Sequence, residues 1–348
     1  MPKNITILVF LVFLQCKGFS QYYLDSTLLA QEKLSKQFIA ATDYADAAIN
    51  SIAALNSLIK KENYRNKISS YNNPTSSDMG FNLQLEIQTA LKPLLDKAKN
   101  VNPNKFMDVV GSLVGNQNNS VAKNIIPASG IFNTITSLVG NLTVTEKKIT
   151  KNDLDSFMLS ISKYFGQFEK LNRINQQFDI SIDKLDSRLQ ELQVDLKDHL
   201  LDLISAYNAS VQRNNLKQKN IEELFLKYLD KTSIDTTIAN AFADENNNKQ
   251  PYFPGDAIKT AKDITSTIQK IFVEYQKIYT ANYNDIKNIL QESKLLGKHI
   301  NTKQVDNSLE ELQGLYNDSK NADILNLRLN TLAERLKSLV NTEKPKKI

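Results

Sequence analysis

The sequence predicts an all-α fold, an elongated antiparallel bundle of long helices with an apolar, low-charge insert packed at one end. Three observations predict it. Apolar residues recur at steps of three and four over most of the chain, the spacing that keeps one helical face on a partner. No stretch alternates apolar and polar residues at the strand period. Glycine and proline are absent from 167 to 229, so nothing there punctuates a helix.

The first twenty residues read as a signal peptide. Lys3 supplies a short basic start, Ile5 to Leu14 is apolar apart from Thr6, and Gly18-Phe19-Ser20 sets small residues at the positions a signal peptidase reads. Export to the periplasm or the exterior is the expectation. Cys16 is the only cysteine, so cleavage after Ser20 would leave no thiol and no disulfide. The formal charge of +5 would fall to +3 as Lys3 and Lys17 leave, too small a bias to predict nucleic acid as a partner. Residues 21–348 are expected to form one elongated helical domain.

From Leu24 to Ser70, Leu34, Phe38, Ala41, Ala45, Ala48, Ile52, Leu55 and Ile59 make a seam whose central alanines admit a close neighbour. Tyr71-Asn72-Asn73-Pro74 ends that helix. A shorter helix is expected over 81–99, kinked or broken at Pro93. The longest element is expected over 151–230, capped by Asn152 or Asp153. Its seam is Leu154, Met158, Ile161, Phe165 and Phe168. A phase slip near 172–175 follows, and Phe178, Ile182, Leu185, Leu189, Leu192, Leu196 and Leu203 resume the stripe. Such a helix would be about 110 Å long at 1.5 Å per residue. The polar, proline-bounded run 243–254 reads as the main loop. A C-terminal helical pair is expected over 256–341, its second member carrying Val305, Leu309, Leu312 and Tyr316, then Leu325, Leu329, Leu332, Leu336 and Leu339.

Between 105 and 145 lies the apolar insert. Lys123 is the only ionisable side chain from Val109 to Thr145, and SLVGN occurs twice, at Ser112–Asn116 and Ser137–Asn141. An Asn-rich turn at 116–120 divides it into two apolar arms. Pro127 and Gly130 argue against one uninterrupted helix, and Gly111 and Gly115 permit close helix contact. Each arm is short for a membrane span. Val110, Leu113, Val114, Ile125, Ile126, Ile131, Phe132, Ile135, Leu138 and Val139 are the side chains that must be buried in the bundle or given to a membrane or partner.

Catalysis is not expected. His199 sits on a seam, where packing is its ordinary role, and His299 follows Gly297-Lys298 at an expected helix end, where it would cap. Nucleotide, metalloprotease and serine-hydrolase signatures are missing from the sequence. No cofactor, metal or small-molecule substrate is expected. The expected partners are a lipid membrane or another protein, or further copies of the chain.

The order of signal peptide, long helix, low-charge insert, very long helix and further helices resembles the α-helical pore-forming toxins of the cytolysin A and haemolysin BL type. The resemblance implies a rod built on Leu24–Ser70 and Leu154–Leu229, with Val109–Val144 as a tongue. On membrane contact the tongue would be released and protomers would assemble into a ring. The alternative is a cell-envelope or secreted structural or adaptor protein that works through helical contacts, its insert plugging the bundle.

Overall fold

A computed structural model describes residues 3–98, 101–115, 128–146, 148–244 and 250–319, with the single positions 331, 334, 337 and 338. Among these residues every regular element is a helix, so the chain is an all-α helical bundle. The elements are α1 (Lys3–Ile59), α2 (Glu62–Tyr71), α3 (Leu83–Leu95), α4 (Pro103–Gly115), α5 (Ala128–Thr145), α6 (Lys151–Tyr207), α7 (Arg213–Lys217), α8 (Ile221–Tyr228), α9 (Lys231–Ala243), α10 (Ala257–Ser293) and α11 (Thr302–Ser319).

The chain gathers into two compact units, and α1, α6 and α10 each contribute residues to both. Unit 1 takes α1 up to Asn56 and Ser187–Phe272. Its core is the predicted α1 seam, with Phe38, Ile52 and Leu55 buried, together with Tyr44, which lies off that seam, and Leu192, Leu196, Leu203, Ile234, Ile264 and Ile268. Phe38 meets Tyr207 and Phe253 edge-on at centroid distances of 5.2 Å, a favoured aromatic geometry. The buried Tyr44 hydroxyl donates to the Ala261 carbonyl and lies 2.9 Å from Thr265 Oγ1. Burial pushes the Tyr44 phenol up to about 12.

Unit 2 takes Ser57–Asp186 and Val273–Ala322. An aromatic cluster organises it. Tyr64, Phe178 and Tyr279 are in mutual contact, and Tyr64 Oη donates to Asn282 Oδ1 at 2.8 Å. Tyr71 Oη donates to the Ser308 carbonyl at 2.9 Å. Burial pushes both phenols up, so they remain protonated donors.

Several boundaries differ from those read in the sequence. The first helix breaks at Lys61, which is extended (φ −65°, ψ 98°), and restarts as α2. Ile59 and Tyr64 are five apart, off the helical step, and the break turns Tyr64, Ile68 and Tyr71 into the core. Pro93 lies in the last turn of α3, which ends two residues later. The very long helix stops at Tyr207, and short helices replace its expected continuation to 230. There Asn208 Oδ1 accepts from the backbone N–H and hydroxyl of Ser210, a local turn that competes with the helix. The helix cap is neither Asn152 nor Asp153. Thr150 precedes the first turn, and Asp153 N–H donates to Thr150 Oγ1 at 3.2 Å while Thr150 N–H donates to Asp153 Oδ2 at 2.9 Å, a capping box. The helix is continuous through the 172–175 phase slip, where Asn175 is buried and donates to the Ile68 carbonyl at 3.0 Å. Of the C-terminal pair, Leu325, Leu329, Leu332, Leu336 and Leu339 lie outside the described residues.

Candidate functional site

The low-charge stretch folds as two helices, α4 and α5, which touch each other, and α4 also touches α3. Residues 116–127 between them, including Ile125, Ile126 and Lys123, lie outside the described residues. Apolar positions three or four apart set the inward face of each arm. Val110 and Val114 are buried in α4, and Ile131, Ile135, Val139 and Leu142 are buried in α5. Leu113, Phe132 and Leu138 are half-buried.

The Ser-Leu-Val of the repeated SLVGN occupies the same register in both arms. Ser112 and Ser137 are exposed, Leu113 and Leu138 half-buried, and Val114 and Val139 buried. Each repeat thus turns its valine inward, one turn after another buried aliphatic residue (Val110 in α4, Ile135 in α5). Of the Gly111 and Gly115 pair, Gly111 has a close neighbour among the described residues, the end of a side chain. A Cβ on Gly111 would stand 3.2 Å from Gln84 Nε2 of α3.

Contacts with α6 seat the α5 arm. Phe132 meets the Phe165 ring edge-on with centroids 5.1 Å apart, and Thr136 Oγ1 donates to Met158 Sδ at 2.9 Å. Outward, α5 shows Asn133, Thr134, Ser137 and Asn141, with Val144 83% exposed. That face carries no charge. The start of α6, just after this arm, is fixed by Lys97, whose Nζ lies 2.7 Å from Asp153 Oδ1. Lys97 and the Thr150 donors hold the Asp153 carboxyl at about 2, below the usual carboxylate range.

A polar cluster lies on the same α3 and α6 that contact the arms. Tyr164 Oη is 2.7 Å from His299 Nε2, which is 3.1 Å from Glu86 Oε2. Burial, and then the Glu86 carboxylate, push the Tyr164 phenol up, so it stays a donor. His299 is therefore not a helix cap. Helix α10 ends at Ser293, and the imidazole instead joins α3, α6 and the turn before α11. Sequence reasoning missed this clamp because its members are 78 and 135 residues apart in sequence. Nothing local marks them as partners.

His199 is buried on its seam at 4% exposure, and its Nε2 has no hydrogen-bond partner among the described residues. Among the described residues no group of three or more His, Cys, Asp or Glu side chains could hold a metal ion. Among the same residues no helix is long and apolar enough to cross a membrane. No family model, curated protein or solved structure matches this chain.

Proposed function

We propose that the protein is exported and non-enzymatic, and that it acts on lipid membranes by turning the α4–α5 pair outward. One observation supports this most. The pair has an aliphatic inner face, the outer face of α5 is uncharged Asn, Thr and Ser, and α4 bears charge only at Lys105 and Asp108 in its first half, whereas the outer faces of α6 and α10 carry charges throughout. From Val109 to Thr145 the only ionisable side chain is Lys123, so few charges would have to be dehydrated at a bilayer surface.

The energetics set the trigger. Val110, Val114, Ile131, Ile135 and Val139 are buried, and exposing them to water would cost roughly 10 kcal/mol at about 2 kcal/mol per side chain. Release is therefore favourable only where another apolar phase receives them. Neither arm spans a bilayer by itself, so pore formation would require several copies of the pair, and a homo-oligomer is part of the proposal.

The same burial favours a second reading, in which the pair is a fixed plug and the protein is a secreted or envelope adaptor working through helical contacts. Ile131→Asp separates the two when dye release from anionic vesicles and the urea midpoint are measured on one preparation. Membrane action predicts release by the wild type and its loss in the variant. A plug predicts no release by either protein and a stability loss of about 3 kcal/mol or more. Absence of vesicle binding and release by the wild type between pH 4 and 8 overturns the membrane reading.

A further inference from the structure

Unit 1 carries an open apolar groove of about 540 Å³ between α1, α6 and α8. Ile52 and Leu196 are its buried floor, and Ile49, Phe225 and Leu226 are its walls. Leu226 is 77% exposed, a large aliphatic surface beside the groove. Two exposed carboxylates, Asp46 and Glu222, complete the lining, and no described lining residue is basic. Asp46 accepts a 3.3 Å bond from Asn50 of its own helix, and among the described residues neither carboxylate is paired with a lysine or arginine. Each wall repeats one order. Asp46 stands one turn before Ile49, and Glu222 one turn before Leu226, so charge and aliphatic surface share a face on both helices.

We propose that this groove binds the apolar face of a basic amphipathic helix from a partner protein. The inference stands on unit 1 and is independent of what the α4–α5 pair does. Aliphatic side chains spaced three and four apart would fill the space above Ile52 and Leu196, and flanking lysines or arginines would meet Asp46 and Glu222. A helix is the fitting ligand because the walls are helices, and among the described residues no strand offers an edge for an extended peptide to pair with. The rim carboxylates speed encounter with a basic partner and exclude an acidic one by like-charge repulsion.

Fluorescence anisotropy on the full chain tests this with two designed helical peptides of about 14 residues. Both carry leucine on one face, with lysine on the rest of one peptide and glutamate on the other. The lysine peptide binds and the glutamate peptide does not. Asp46→Lys with Glu222→Lys weakens binding about tenfold and flattens its salt dependence, and Leu226→Asp abolishes it. All three positions are exposed, so the helical circular dichroism is unchanged. Equal binding of the two peptides, or binding indifferent to these substitutions, overturns the proposal. Dimerisation that Leu226→Asp removes, without peptide binding, assigns the groove to a second copy and also overturns it. So does peptide binding that emerges only after residues beyond 319 are deleted, because the chain would then be its own ligand.

Discussion

Gly80 has little freedom to change. Its φ of +80° lies in the left-handed region, and its carbonyl accepts from Asn301 N–H at 2.8 Å. A Cβ there would meet Val305 Cγ2 at 2.6 Å, Ile300 Cγ2 at 2.8 Å and the Asn301 carbonyl at 2.9 Å. Gly80→Ala should therefore lower stability by about 2 kcal/mol or more, read as a fall in the urea midpoint at constant slope. His199 gives a second prediction. Burial holds its pKa below the ordinary histidine value, against the pull of Asp202 and Asp256, so the unfolded chain takes up the proton first as pH falls. Its contribution is complete above the unfolded pKa of about 6.5 and is lost as pH falls toward the depressed folded value. Midpoints measured from pH 8 to pH 5 should decline, and His199→Leu should flatten that decline. A decline of equal slope in the variant would assign it to other groups. The position of His199 on a buried seam was legible from periodicity. The clamp role of His299 was not, since a histidine beside glycine near a helix end carries no sign of a tyrosine and a glutamate from other helices.

Among the elements, α6 and the α4–α5 pair show how far local pattern reaches. Thr150 and Asp153 have the spacing of a capping box, and the structure closes it. Thr150→Ala should lose about 1 kcal/mol, and Thr150→Ser should retain most of it, both measured by thermal or urea unfolding. The repeated SLVGN was visible as a string, but whether its valines faced the bundle or a membrane or partner was open until the structure buried Val114 and Val139. The end of α6 at Tyr207 was less legible. Asn, Ala and Ser at 208–210 tolerate a helix, and the turn that Asn208 makes with Ser210 competes with it only where the packed seam ends. Likewise, Lys60 and Lys61 do not announce a break. The break follows from the demand that Tyr64 and Tyr71 reach Asn282 and Ser308.

For the whole molecule, composition already limits what holds the chain together. A single cysteine, Cys16, allows no internal disulfide, so cohesion comes from packing and hydrogen bonds. Reductant should leave the melting temperature unchanged and far-UV circular dichroism strongly helical. A shift of several degrees with dithiothreitol would point to intermolecular bridging through Cys16. The sequence by itself determined the helical class, the inward stripes of α1, α6 and α11 and the low charge of the insert, because periodicity and composition act within a few turns of chain. Tertiary structure alone decided which faces meet. It placed Phe132 against Phe165, joined Glu86 to His299 and Tyr164, tied Arg65 to Asp179 at 2.8 Å, and left Leu226 uncovered above the unit 1 groove. Those pairings depend on the packing of residues far apart in the chain, where many apolar stripes are interchangeable and only shape and hydrogen-bond geometry select among them.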